Sequence, residues 1–247
     1  MWHHPRMESN EFLLALERDS AAFVDACEVA GLTAGVPSCP DWTVADLLWH
    51  LTEVHNFWRI MVGEHRTTWE GYEGPTRSFD EGLAAKYRQG RADLLKTMSE
   101  VDPAMSMWTW SSDKTAGFVI RRMTQETAVH LWDATEAAGM VNPIEATLAS
   151  DGIDEFLTHF TGDVAEGAEP VGGSVHLHCG DVAGEWTVKE SADGFEVSRE
   201  HSKGDCAIRG AASDILLALW RRQPLSTCDV VGDADVAARF IAHTGLN

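Results

Sequence analysis

Basic residues are scarce in this chain of 247 residues: 19 Lys and Arg stand against 39 Asp and Glu, a formal net charge of −20. So acidic a surface repels phosphate backbones and anionic lipid. That argues against nucleic-acid binding and asks any anionic substrate for a local cationic pocket. Long apolar runs are absent, and no stretch approaches the roughly 18 to 20 residues that span a bilayer. Met1 to Asn10 carries no apolar secretory core, so the expected compartment is the cytoplasm. Cysteine is sparse and odd in number, and Cys27, Cys39, Cys179, Cys206 and Cys228 include no CxxC pair. A disulfide framework and a thiolate zinc finger are thereby disfavoured, which leaves buried, inert thiols.

What is present is globular. Apolar residues make up 44% of the chain and charged ones 23%, enough to bury a core in one large domain or two ordinary ones. Trp42, Trp49, Trp58, Trp69, Trp108, Trp110 and Trp132 crowd the first half, most as core and some as pocket wall.

Apolar spacing predicts a helix over Glu11 to Gly31, where glycine is a natural stop. Pro37 and Pro40 then forbid continuation through a loop at residues 36–42. Thr43 reads as an N-cap with Asp46 completing a capping box, opening a second helix to Gly63. A third helix is expected over Phe79 to Val101 and a fourth over Phe118 to Ala138. Four helices with short connections read as an antiparallel bundle.

After Asn142-Pro143 the texture changes. A helix over Ile144 to Phe160, interrupted at Gly152, precedes an alternating strand at Ser174 to Cys179. Strands at Glu185 to Lys189 and Gly194 to Arg199 flank the hairpin signal Ala192-Asp193-Gly194. A strand at Asp205 to Arg209 and helices at Ala211 to Arg222 and Asp233 to His243 complete the reading. The expected class is α+β: a four-helix bundle over residues 1–142, then a smaller α+β domain with an antiparallel sheet over 143–247.

Candidate chemistry sits in the bundle. His50 shares a helical face with Leu47, Val54, Phe57 and Met61. On the fourth helix Met123, Glu126, His130, Ala134 and Ala137 form one stripe. Residues four apart lie about 40° apart around a helix, so Glu126 and His130 can converge on one point. If the second and fourth helices are neighbours, His50 supplies a third donor. Two imidazoles and a carboxylate suit Zn²⁺ with one open position, and other divalent metals also fit. The same pattern fits an ordinary intrahelical pair beside a core histidine, and Glu53 is a rival donor. His55, about 140° from His50, cannot join them and faces solvent or a neighbouring helix.

Two segments carry a resemblance. VPSCPDWTVADLLWHL, residues 36–51, and RMTQETAVHLWDA, residues 122–134, resemble the signature segments of the mycothiol-dependent maleylpyruvate isomerase family. The similarity continues through ASDGIDEFL, residues 149–157, into the C-terminal domain. It implies a DinB-like metal-binding four-helix bundle, with zinc held by His50, Glu126 and His130, and mycothiol as a small thiol cosubstrate. A thiol of ordinary pKa near 8.5 loses its proton on coordinating a dication. The implied thiolate adds to an activated alkene, the new single bond rotates, and elimination returns the thiol. An S-transferase shares the first step and leaves the sulfur on the product.

The expectation is therefore a zinc-dependent, mycothiol-using isomerase or S-transferase, a monomer or homodimer, taking a small electrophilic substrate. A non-catalytic binding or regulatory protein and a zinc hydrolase of the same fold stand as alternatives. A dicarboxylate needs arginine forks. Arg121, Arg122, Arg221 and Arg222 are the candidates, and Arg222 leads because the family's C-terminal domain contributes to the active-site cleft. Asp133 is a partner for His130 or a solvent-facing carboxylate, and Cys39 is a weaker candidate nucleophile. His176 and His178 read as the solvent face of a strand. His3 and His4 precede Met7, an alternative start to Met1.

Overall fold

The structure, a computed structural model, describes residues 7–140, 142–191 and 194–246. His3, His4 and the turn residues Ala192 and Asp193 lie outside the described residues. Two compact units make up the fold, Glu8–Asn142 and Pro143–Asn247.

The first unit runs α1 (Ser9–Ala30), β1 (Gly35–Val36), β2 (Cys39–Thr43), α2 (Val44–Gly63), α3 (Asp80–Glu100) and α4 (Ala116–Ala137). Thr43 caps α2 reciprocally: its hydroxyl accepts from the Asp46 amide at 3.3 Å, and its own amide donates to Asp46 Oδ2 at 2.9 Å. With Arg77 also bonded to that carboxylate, the Asp46 pKa falls to about 2, the Thr43 hydrogen bonds being the main cause. Thr115 opens α4 by accepting from the Phe118 amide at 3.2 Å, and Gly139 follows its end at φ 69°.

Helix α1 packs mainly on α4 and α2 mainly on α3, while α1–α3 and α2–α4 contacts close the ring. Around the bundle the order is thus α1–α4–α2–α3, so α1 stands diagonally to α2 and α3 to α4, while α2 and α3 are neighbours. Phe23 and Cys27 of α1, Leu47 and Leu51 of α2, Leu83 and Tyr87 of α3, and Leu131 and Ala134 of α4 share one core. Fully burying one such leucine stabilises by about 1.5–3 kcal/mol. The segment at residues 36–42, expected as loop, pairs instead as a small β1–β2 ribbon. A two-residue strand facing one that contains proline offers no alternation to read.

The second unit runs α5 (Ala146–His159), β3 (Ser174–Cys179), β4 (Glu185–Ser191), β5 (Gly194–Ser198), β6 (Cys206–Gly210), α6 (Ala212–Leu219), β7 (Asp229–Gly232) and α7 (Ala234–His243). Its sheet has the order β5-β4-β3-β6-β7. The β3–β4, β4–β5 and β6–β7 ladders are antiparallel, and β3–β6 is parallel. That parallel pairing joins strands separated by two others, which hairpin signals do not reach. Val175, Leu177, Trp186, Val188 and Ile208 are buried. Helix α5 passes through Gly152 without the expected interruption. An interior glycine costs only about 1 kcal/mol against alanine, less than the burial of Leu148, Ile153 and Phe156 returns.

Candidate metal centre

The middle of α4 turns Glu126 toward α2, where His50 faces it. Glu126 Oε1 lies 3.3 Å from His50 Nε2 and 3.2 Å from His130 Nε2. The two imidazole rings stand edge to face with centroids 5.0 Å apart. One donor atom from each of the three residues lies within 4.8 Å of the other two. Donors held by bonds of about 2 Å to a tetrahedral ion are separated by about 3.3 Å, so both contacts to Glu126 fit a Zn²⁺ site. Glu53 is exposed and is not among the three.

Neighbouring side chains orient this set. Arg122, buried, donates from Nη2 to Glu126 Oε2 at 2.9 Å, which leaves Oε1 to the histidines. His130 Nδ1 donates to Asp133 Oδ2 at 2.8 Å, and Ser38 Oγ donates to Asp133 Oδ1 at 2.6 Å. Asp133 is fully buried. Since a carboxylate only accepts, Nδ1 carries the proton and Nε2 is the face turned to Glu126. The Trp42 ring lies 5.0 Å from that of His50.

The electrostatics follow. Burial pushes the Glu126 carboxyl up, but hydrogen bonds from His130 and His50 and the charge of Arg122 outweigh it, holding the group well below the carboxylate range. Burial lowers His130, yet hydrogen bonds to Asp133 and Glu126 carry it to about 9. Protons bound to the two Nε2 atoms thus converge on one ionised oxygen, a place a dication can take over. The His50 side chain is 34% exposed and that of Glu126 22%, so the site is open on one side.

Family models match on either side of the unit boundary: the mycothiol maleylpyruvate isomerase N-terminal domain at residues 13–135, and the C-terminal domain of the same family at 147–239. The chain belongs to the mycothiol maleylpyruvate isomerase family. Among solved structures, mycothiol-dependent maleylpyruvate isomerase and a histidine-to-alanine mutant of it each superpose with a TM-score of 0.64 at 12% identity. Each comparison covers 95% of this chain and 98% of the other, a likeness of fold. No curated protein sequence matches significantly.

In this family member the remaining expected residues divide. Arg122 binds Glu126, so it orients a donor within the cluster. Arg222 follows α6 in the second unit, half-buried, and donates from Nη1 to the Trp220 carbonyl at 3.1 Å. Arg221 adopts φ 56° and donates from Nε to the Ile241 carbonyl at 3.1 Å, fastening the end of α7. Cys39 is half-buried in β2, whereas burial raises the Cys27 and Cys179 thiols to about 12. The link from Ser38 to Asp133 spans 95 positions, and no spacing rule signals it.

His55 faces α4, the neighbouring helix. It is buried, with Nε2 at 3.0 Å from Thr127 Oγ1 and its ring 5.6 Å from that of Tyr87. Burial lowers its pKa to about 3. An unfolded histidine titrates near 6.5, so the unfolded chain takes up this proton first. The associated stability is full above about pH 6.5 and is lost as pH falls toward 3. Below pH 6, His130 is protonated in both states and adds little slope. Urea unfolding of the metal-free protein at pH 6.0 and 4.5 is expected to show a loss approaching about 1.4 kcal/mol per pH unit from this group. His55→Gln should flatten that slope, and an unchanged slope would refute the assignment.

Proposed function

We propose that this family member is a mycothiol-using isomerase of a maleylpyruvate-like substrate, with Zn²⁺ held by His50, Glu126 and His130. The observation that carries the reading is the convergence of two imidazole nitrogens on one carboxylate oxygen in a chain of this family. Zn²⁺ bound there would act as a Lewis acid that lowers the pKa of a thiol at its open position. Asp133 fixes the His130 ring and keeps its Nδ1 proton in place, so that Nε2 is available as a donor. Arg122 balances the Glu126 charge and selects the oxygen turned to the histidines. Trp42, beside His50, supplies an apolar wall. Arg222 enters this proposal as a carboxylate-binding residue on the family resemblance.

The direct test is cis-to-trans conversion of maleylpyruvate by the full chain, with and without mycothiol, before and after removal of metal. Conversion is expected only with thiol, to fall on chelation and to return with Zn²⁺. A metal-free protein that retains full thiol-dependent activity would overturn the role given to the three residues. Conversion without thiol would overturn the cosubstrate, and a stable thiol adduct as product would replace isomerase by S-transferase.

A further inference from the structure

Within the second unit, three imidazoles and one carboxylate gather on one face of the sheet. His176 and His178 point the same way from β3, and Glu185 stands directly opposite His178 on β4. His201 comes from the connection between β5 and β6. His178 Nδ1 lies 2.5 Å from Glu185 Oε1, and His201 Nδ1 lies 3.2 Å from Glu185 Oε2. The His176 ring stands 5.2 Å from that of His201, nearly perpendicular to it, and 5.9 Å from that of His178. One donor atom each from His176, Glu185 and His201 lies within 4.8 Å of the other two.

His176 distinguishes this cluster from a solvated polar face. The alternation of β3 assigns it to solvent, yet it is only 4% exposed, and its Nε2 has no hydrogen-bond partner among the described residues. An unpaired ring nitrogen is costly at a buried position unless something else satisfies it. Burial also lowers the His176 pKa. Burial raises Glu185, but hydrogen bonds from His178 and His201 outweigh that and hold it ionised.

We propose that His176, Glu185 and His201 form a second divalent-cation site of the zinc class, in which His178 positions the Glu185 carboxylate. A site of two imidazoles and one carboxylate has the donor chemistry of zinc, and His178 supplies the outer hydrogen bond that such carboxylates usually receive. The bound ion ties the segment carrying His201 to β3 and β4, a structural function separate from the α2–α4 cluster.

The test is Zn²⁺ titration of the full-length metal-free chain against a chromophoric chelator, with and without replacements at each site. Wild type is expected to take two Zn²⁺. A Glu126→Gln, His130→Ala variant should keep one. Adding His201→Ala or Glu185→Gln to that variant should weaken the remaining ion by tenfold or more, since even an outer-shell loss costs about 10–100-fold. His201 is exposed, so its replacement leaves the fold intact by circular dichroism. Tryptic cleavage after Lys203, also exposed, should slow when Zn²⁺ is added to the Glu126→Gln, His130→Ala variant. If that variant fails to fold, two ions in wild type against one in His201→Ala decides the matter. A stoichiometry of one that His201→Ala leaves unchanged overturns this site while preserving the α2–α4 centre.

Discussion

Glutamine in place of Glu126, or alanine in place of His130, is expected to lower thiol-dependent kcat/KM by about a thousandfold or more and to remove the ion from the α2–α4 centre. Lewis-acid stabilisation is worth several kcal/mol, and about 4 kcal/mol corresponds to three orders of magnitude in rate. Glu126 is the sharper probe because its Oε1 meets both histidines while Oε2 binds Arg122. Glutamine keeps the shape but removes the charge that the histidines and Arg122 Nη2 meet. Asp133→Asn should fall between, at about 10–100-fold, because it disturbs the bond that orients His130 without removing a donor. Metal content and kcat/KM on the same preparations check this series. Full activity in Glu126→Gln at unchanged metal content would exclude the centre, and parallel loss of folding in all three would show a structural cluster.

The second large effect lies in the sheet. Gly232 ends β7 at φ +95°, and a Cβ built there would lie 2.4 Å from the Asp205 carbonyl oxygen and 3.2 Å from Cys206 Cα. Both obstacles are backbone, and they cannot swing aside as a side chain can. The Asp205 amide donates to the Ser174 carbonyl at 2.9 Å, and the Asp205 carbonyl accepts from the Asp233 amide at 3.1 Å. Gly232→Ala is therefore expected to destabilise by about 2–4 kcal/mol, combining left-handed strain with the displacement of β6. Gly31, at φ +84° with open space around its Cβ position, is the control. Gly31→Ala should cost less, about 1–2 kcal/mol, the conformational part alone. Equal urea midpoints for the two variants would refute the steric argument.

The elements that sequence patterns revealed are those whose signals are local. Thr43 and Asp46 announce α2 because a capping box closes within four residues. The strand at Ser174 to Cys179 is visible because its alternation is self-contained. β7 escaped notice because its four residues, two of them valine, are too short for a periodic signal. The burial of His176 was invisible for another reason: its ring lies near His201, which arrives from 25 positions downstream. Glycine at 152 suggested a break because propensity weighs the residue alone, whereas Leu148, Ile153 and Phe156 hold the helix from its buried side.

The candidate metal centre divides along the same line. That Glu126 and His130 converge is a property of the chain itself, since four residues on an α-helix bring two side chains to one face whatever surrounds them. That His50 meets them is not. In a bundle whose consecutive helices are neighbours, α2 and α4 stand diagonally, and the third donor points elsewhere. Here α1 meets α3 and α2 meets α4, in place of the α1–α2 and α3–α4 packing of such a ring, so α2 lies beside α4 and the imidazole reaches the carboxylate. Which helices become neighbours depends on how whole apolar faces fit together. Only the packed structure decides that, and with it the Ser38–Asp133–His130 chain of hydrogen bonds.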